Sequence, residues 1–237
     1  MKSIIPNLLT LANLASGLFA IIAIFDGSVV LAAYLLAASL IFDFLDGLAA
    51  RGLGVHSEVG LQLDSLADMV SFGVAPGFML YRLFLEVSGS GEPLPSFLPY
   101  LAFLITIFSA LRLAKFNIDT RQTENFIGLP TPANAILIYS LAIWALKTEN
   151  ATTEAILLHP FFLSFLTIAS SLLLVAEIPL LSLKVKELSW KANKSRILLI
   201  AAIVLLFAVL RFRAFAFVIP LYLLISIFFK PKRREIE

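Results

Sequence analysis

The chain has 237 residues, of which 60% are hydrophobic and only 14% are charged, and its mean hydropathy is +0.96. Soluble globular domains carry charge on about a quarter of their residues, so this composition excludes that class and indicates a polytopic membrane protein. The chain contains no cysteine, which excludes a disulfide, a thiol nucleophile and a zinc–thiolate site. Its formal net charge is only +2, so the positions of the charges are more informative than their sum.

Taken in chain order, apolar segments of roughly 20 residues predict membrane-spanning helices. We predict eight such spans, at residues 5–25, 29–50, 61–86, 97–117, 132–147, 155–176, 196–210 and 213–229. The predicted fold class is therefore all-α, a polytopic transmembrane helix bundle. None of the segments between the spans is long enough to form a separate soluble domain.

Lysine and arginine accumulate on the cytoplasmic side of membrane proteins, and this bias predicts the orientation. With the N-terminus inside, only four of the 18 basic residues fall on the outer side, namely Arg82, Lys147, Arg211 and Arg213. We therefore expect a multi-pass protein of the cell inner membrane with both termini in the cytoplasm. A basic loop at 184–196 and a basic tail at 230–234 are expected to lie on the anionic inner leaflet.

Four aspartates lie where the second predicted span ends and the third begins. Asp43 and Asp46 are three residues apart, and Asp64 and Asp68 are four apart, so each pair shares one face of its helix. Ionised carboxylates in or beside a bilayer are costly and usually mark an ion or substrate site. If the two helices are antiparallel neighbours joined by residues 52–59, the four carboxylates meet toward the cytoplasmic side.

Four like charges require compensation, and carboxylate oxygens are the ligands that Mg²⁺ and Mn²⁺ prefer. Asp43, Asp46 and Asp64 can provide oxygen ligands to one divalent cation. Asp43, Asp64 and Asp68 can provide oxygen ligands to a second one. Two cations held by shared carboxylates suit a reaction at phosphorus. Asp68, at the edge of this pair, is the best-placed proton acceptor for a substrate hydroxyl.

Two glycines and an arginine are in phase with the aspartates. Gly47 and Gly60 each lie one helical turn from an aspartate, where the lack of a side chain lets a ligand approach the backbone. Arg51 lies one turn beyond Gly47, and its planar guanidinium can bind a phosphate through two hydrogen bonds.

The spacing Asp-x₂-Asp-Gly-x₂-Ala-Arg-x₈-Gly-x₃-Asp-x₃-Asp resembles the signature of the CDP-alcohol phosphotransferases. Its fixed positions are filled by Asp43, Asp46, Gly47, Ala50, Arg51, Gly60, Asp64 and Asp68. The resemblance implies a homodimer with a six-helix transmembrane core, and transfer of a phosphatidyl group from a CDP-activated lipid to an alcohol with release of CMP. It also implies that the four aspartates bind two divalent metals and that Asp68 is the base. Contacts to the CDP-lipid head are implied for Gly47, Ala50, Arg51 and Ser57.

This resemblance divides the chain into two parts. Residues 1–176 correspond to the transmembrane core of the family. Residues 177–237 add the basic loop, about two extra C-terminal spans and the basic tail.

Two further stretches resemble one branch of the family, the membrane-bound phosphatidylserine synthases. They read IPNLLTLAN at residues 5–13, and ALRLAKFN at 110–117 followed by FIGLPTPA at 126–133. The branch implies a role in phospholipid biosynthesis, with CDP-diacylglycerol as donor and L-serine as acceptor. At the position of Lys115 that branch commonly has arginine, so this sequence departs slightly from the pattern of the branch.

Two pairs of side chains have alternative interpretations. The carboxylate of serine requires a cation, which Arg112 and Lys115 can supply from one helix face, but both residues also suit ordinary anchors that reach toward lipid headgroups. Asn7 and Thr10 share a face at the start of the first span. They can bind the cytosine or the diphosphate, or they can cap that helix.

Two other functions remain possible from the sequence. Glycerol 3-phosphate or inositol phosphate could be the acceptor, although such phosphates favour a denser basic cluster than Arg112 and Lys115. A divalent-cation transporter could place an acidic cluster along its path. We find no internal repeat, which many transporters have, and Arg51 would put a fixed positive charge at the mouth of a cation route.

Overall fold

The structure of the chain is a computed structural model, and it describes residues 3–55, 57–89, 94–119, 127–178, 180 and 190–228. Within these ranges the chain is all-α, as predicted. The α-helices are α1 (Ile4–Phe25), α2 (Val29–Leu53), α3 (Glu58–Asp68), α4 (Ala75–Gly89), α5 (Leu104–Ile118), α6 (Thr131–Lys147), α7 (Ala151–Leu157), α8 (Pro160–Val175), α9 (Trp190–Leu210) and α10 (Phe215–Phe228). A π-helical turn at Met69–Val74 joins α3 to α4, and 3₁₀ turns at Leu98–Phe103 and Arg211–Ala214 precede α5 and α10.

Four helical segments are long and apolar enough to cross a membrane, namely Ile4–Phe25, Val29–Leu53, Glu58–Val87 and Leu98–Ile118. The pair α7 and α8 adds a fifth if the two count as one bent span. Together with the many large apolar side chains exposed around the bundle, these helices make the chain a multi-pass membrane protein. Helix α6 has 17 residues, and the apolar parts of α9 and α10 are shorter still, so the number of eight spans stays a prediction.

Two of the predicted spans differ from the helices. The predicted span at 155–176 is broken into α7 and α8, which are bent by 49° relative to each other. Pro160 is the first residue of α8 and lacks the N–H that a continuous helix would need, so the chain begins a new helix there. Helix α9 begins at Trp190, inside the predicted basic loop. Residues 184–189 of that loop and the tail at 230–234 lie outside the described residues.

Helix α4 is the centre of the bundle. Its side chains Met79, Leu80, Leu83 and Phe84 are all within 1% of complete burial, and α4 packs against α1, α5, α6 and α8. The buried face of α4 is apolar because several neighbouring helices cover it. Helix α10 packs against α6, and α9 packs against α10.

Helix α1 packs against α2, α3, α4 and the π turn. A Cβ atom on Gly17 would lie 2.8 Å from the Cα atom of Ser71 in that turn, so only glycine allows the two backbones to approach this closely. The hydroxyl of Ser71 donates a hydrogen bond to the carbonyl of Asn13 at 3.0 Å. Helix α1 is thereby fixed beside the helix that carries Asp64 and Asp68.

The π turn is also the place where α5 meets this helix. Thr106 of α5 donates a hydrogen bond to the carbonyl of Gly73 at 3.0 Å. A Cβ atom on Gly73 would lie 3.0 Å from the Cβ atom of Ser109, so α5 packs directly on the turn. Turns of this kind often lie at functional sites, and this one follows Asp68 immediately.

The segment before α6 is attached to the end of α8. The N–H of Gly128 donates to the carbonyl of Ile178 at 3.0 Å, and the N–H of Leu129 donates to the carbonyl of Leu173 at 2.9 Å. These bonds satisfy a carbonyl of the last turn of α8, which has no partner within its own helix. Gly128 has a φ of 74°, in the left-handed region that favours glycine.

Candidate active site

Three of the four predicted aspartates form one cluster. Asp43 from α2 and Asp64 and Asp68 from α3 each offer one carboxylate oxygen, and these oxygens all lie within 4.8 Å of one another. All three side chains are half-buried, and Oδ1 of Asp64 is buried without a hydrogen-bond partner among the described residues. Like charges this close are costly unless a cation compensates them. This donor set therefore fits a hard divalent cation.

The fourth aspartate, Asp46, is oriented by α1. Its Oδ2 atom accepts a hydrogen bond of 2.6 Å from the hydroxyl of Thr10, and the side chain is buried. Thr10 also lies 3.1 Å from the carbonyl of Pro6, four residues earlier. Asp46 is thus held at the edge of the cluster by α1, a contact that the sequence does not reveal.

Asn13 is a site residue that sequence analysis missed. Its Nδ2 atom donates a hydrogen bond of 3.1 Å to Oδ1 of Asp68, and its side chain is completely buried. The backbone carbonyl of Asn13 accepts from Ser39 of α2 at 3.2 Å and from Ser71 of the π turn at 3.0 Å. A signal did exist in the sequence, because Asn13 lies three residues after Thr10 and so on the same face of α1.

A cleft of about 420 Å³ opens beside the aspartates, between the first half of α1, the end of α2 and the start of α3. Most of the residues predicted to bind the CDP-lipid line this cleft: Asn7, Thr10, Gly47, Ala50, Ser57 and Gly60. Asp46 and Asp64 also line it, so the cleft and the acidic cluster form one continuous site. Pro6, Val55, Glu58 and Leu61 complete the wall and were not predicted.

Two glycines in the wall of the cleft lie close to polar side chains. Ser57 caps α3 by accepting a hydrogen bond of 2.9 Å from the N–H of Gly60, and a Cβ atom on Gly60 would lie 2.8 Å from that hydroxyl. A Cβ atom on Gly47 would lie 3.3 Å from Nη1 of Arg51. The guanidinium of Arg51 therefore lies against the bare backbone of α2, and Arg51 is the one predicted donor-lipid contact that does not line the cleft.

Asn7 and Thr10 do not cap α1. The helix begins at Ile4, and its N-cap residue is Ser3, which makes no side-chain capping bond. Both residues lie within the helix, so the capping alternative is wrong. Their side chains point into the cleft and toward Asp46 instead.

The two basic residues of α5 have different surroundings. Arg112 is buried, with 7% of its surface exposed, and its guanidinium interacts electrostatically with Asp68. Its Nε atom has no hydrogen-bond partner among the described residues, and its charged group lies 5.7 Å from the ring centre of Phe116. Lys115 is exposed. The structure therefore directs Arg112, and not Lys115, toward the aspartates.

Comparison with known proteins gives one family and several relatives. Residues 3–176 match the family model described as CDP-alcohol phosphatidyltransferase. The chain is 38% identical over 143 residues to the CDP-diacylglycerol–serine O-phosphatidyltransferase of Helicobacter pylori strain J99, covering 56% of this chain and 54% of that protein. It is 32% identical over 177 residues to the archaetidylserine synthase of Methanothermobacter thermautotrophicus, covering 73% of this chain and 68% of that protein. It is 36% identical over 132 residues to the CDP-diacylglycerol–serine O-phosphatidyltransferase of Bacillus subtilis strain 168, covering 54% of this chain and 69% of that protein.

Proposed function

The chain belongs to the CDP-alcohol phosphatidyltransferase family, and from this we propose that it transfers a phosphatidyl group from CDP-diacylglycerol to the hydroxyl of L-serine. The products are CMP and phosphatidylserine. The observation that carries the proposal is the acidic cluster of Asp43, Asp64 and Asp68, which adjoins a cleft large enough for a nucleotide head group. The matched part spans about half the length of the Helicobacter relative, so the activity of that whole protein is a proposal for this chain.

The support for serine comes from the relatives' names. The bacterial relatives are named for serine and CDP-diacylglycerol, and the archaeal relative is named for archaetidylserine. These names share serine and differ in the lipid, which favours serine over glycerol 3-phosphate or inositol phosphate as the acceptor. They do not decide between ester-linked and ether-linked lipid.

The family uses divalent metals, and the carboxylates present fit them. We propose that Asp43, Asp46, Asp64 and Asp68 hold two cations, Mg²⁺ or Mn²⁺. Bound there, the cations would neutralise the phosphoryl oxygens and the leaving CMP. The chain's own part is to hold the carboxylates in place, through Thr10 on Asp46 and Asn13 on Asp68.

The proposed location and assembly follow from charge and family. We place the protein in the cell inner membrane with both termini and the active site on the cytoplasmic side, because 14 of the 18 basic residues then face inward. We propose a homodimer, as the family resemblance implies. We also propose that residues 1–176 form the catalytic core and that residues 177–237 are an addition to it.

The test of the function is release of CMP by the purified protein. With CDP-diacylglycerol and a divalent cation, we expect CMP release that depends on added serine and yields phosphatidylserine. Glycerol 3-phosphate and inositol phosphate serve as the alternative acceptors in parallel reactions. Release that depends on one of them instead of serine would reassign the acceptor. A cation transporter would release no CMP with any acceptor.

Asp68 is the proposed base for the serine hydroxyl, and Asp68→Asn tests that role. We expect turnover to fall by about 10²–10⁴-fold, the contribution typical of general base catalysis. Affinity for CDP-diacylglycerol, measured by direct binding to the purified protein, should change far less. If binding collapses while turnover per bound donor stays normal, Asp68 is a binding residue and not the base.

Arg112 is the proposed partner of the serine carboxylate. A charge-assisted hydrogen bond contributes roughly 1.5–3 kcal/mol, so Arg112→Gln should raise the KM for serine by about ten- to a hundredfold. The KM for CDP-diacylglycerol should change much less. Lys115→Gln is the matched control, because Lys115 lies on the same helix but is exposed.

Serinol, which has the hydroxyl and the amine but no carboxylate, provides a second measurement. The unmodified protein should use serinol poorly, and Arg112→Gln should discriminate less between serine and serinol. Equal loss of affinity for serine and serinol in Arg112→Gln would contradict a carboxylate contact. Unchanged serine kinetics in that variant would make Arg112 a structural residue.

A further inference from the structure

A second large groove lies in the other half of the bundle from the aspartates. It has a volume of about 510 Å³ and is walled by the first half of α2, the second half of α6 and the start of α10. On α2 its lining residues end at Leu40, before Asp43. No described residue lines both this groove and the cleft beside the aspartates. The groove is therefore separate from the cleft of the active site.

The groove is apolar along its length and positively charged at one end. Leu36, Ala37 and Ile143 are among its apolar lining residues. Lys147, at the end of α6, and Arg213, in the 3₁₀ turn before α10, line it at the other end. Its lining residues include no aspartate or glutamate.

Neither cation is held in a salt bridge among the described residues, and Lys147 also lines a neighbouring cavity with Glu86 and Glu154. Lys147 and Arg213 are both exposed, and neither forms a salt bridge with any acidic residue that the structure describes. Arg82, by contrast, is paired with Glu86 at 2.6 Å. Two unpaired cations at the end of an apolar groove in a membrane protein are complementary to a lipid that carries a negative phosphate above its acyl chains.

We propose that this groove binds an anionic phospholipid from the leaflet opposite the active site. The phosphate lies between Lys147 and Arg213, and an acyl chain lies between α2 and α6 below them. The volume falls within the range of ordinary ligand pockets, about 300–1,000 Å³. Such a lipid would hold the start of α10 against α2 and α6. The proposal is independent of the transfer reaction and of the acceptor.

The test is lipid binding to delipidated protein by native mass spectrometry. We expect one phosphatidylglycerol to bind more tightly than phosphatidylcholine, by at least about tenfold, which corresponds to about 1.4 kcal/mol. The double substitution Lys147→Gln and Arg213→Gln should remove this preference. Arg211→Gln is the matched control, because Arg211 is an exposed arginine of the same 3₁₀ turn that does not line the groove. An equal loss in Arg211→Gln would overturn the proposal.

A second variant tests the groove itself without changing charge. Ala37 is exposed on α2 and lines the groove, so Ala37→Phe should fill it and abolish the tight phosphatidylglycerol adduct. Retention of the adduct in Ala37→Phe would show that the lipid binds elsewhere. Both measurements are made in EDTA, so that they do not depend on the transferase site.

The donor lipid is the competing occupant, and competition separates the two. If the groove holds the acyl chains of CDP-diacylglycerol, adding that donor will displace the phosphatidylglycerol, and the proposal is then wrong. We expect both lipids to bind together, giving a doubly liganded mass. This result is independent of whether serine is the acceptor, so failure here and failure of the proposed function are distinguishable.

Discussion

Replacing Asp64 by asparagine is expected to lower the rate of CMP release at least about hundredfold. The loss of groups that merely support metal ligands already costs about 10–100-fold, and Asp64 lies within the acidic cluster and in the wall of the cleft. Asparagine keeps the shape of the side chain but removes one negative charge. The rate is measured with purified protein at saturating serine and CDP-diacylglycerol.

The fold should survive this substitution. Oδ1 of Asp64 makes no hydrogen bond to a described residue, and removing one of three adjacent like charges relieves repulsion. In EDTA the melting temperature of Asp64→Asn should therefore equal or exceed that of the unmodified protein. Asp26→Asn is the control, since Asp26 is an exposed carboxylate at the far end of α1. Transfer near the unmodified rate in Asp64→Asn would refute the metal-binding proposal.

Gly128→Ala is expected to cause the largest loss of stability from a single added methyl group. A Cβ atom at this position would lie 2.8 Å from the carbonyl oxygen of Ala176 and 2.9 Å from that of Leu174. These are backbone atoms at the end of α8 and cannot turn away. The left-handed conformation costs roughly 1–2 kcal/mol without glycine, and overpacking adds about 1–3 kcal/mol. The two costs together are about 2–5 kcal/mol, so the melting temperature should fall by roughly 4–20 °C.

Gly54→Ala separates the cost of the left-handed backbone conformation from the cost of the close contact. Gly54 has a similar φ of 62°, but an added Cβ atom would meet nothing within 4 Å. Its substitution therefore measures the conformational cost alone, which corresponds to a decrease in melting temperature of roughly 2–8 °C. If Gly54→Ala and Gly128→Ala reduce the melting temperature equally, the close contact between Gly128 and the end of α8 does not contribute to stability.

The acidic cluster could be predicted from the sequence because it depends on helical periodicity. A spacing of three or four residues places each aspartate pair on one face, whatever the rest of the fold does. Gly47, Ala50 and Gly60 line the cleft for the same reason, since each lies within about one turn of an aspartate. The family resemblance points to the same residues, and their roles in binding stay predictions.

The features that could not be predicted depend on contacts between distant parts of the chain. Asn13 bonds Asp68 across 55 positions of the sequence, and Thr10 bonds Asp46 across 36. The difference between Arg112 and Lys115 depends on how α5 is rotated against the π turn. Both residues have the same charge and lie on one turn of α5. The sequence alone therefore predicted either of them as the partner of the serine carboxylate. The break at Pro160 was missed because its apolar flanks resemble one continuous span.

The π turn at Met69–Val74 has a consequence for the two faces of this helix. Such a turn is an α-helix with one residue inserted, and each residue of an α-helix rotates the chain by about 100°. Upstream of the turn the helix presents Asp64 and Asp68 to the cleft, and downstream it presents Met79 and Phe84 to the core. A regular helix would fix the angle between these two faces. The π turn breaks that fixed relation, so the direction of the carboxylates is set separately from the packing of the core residues.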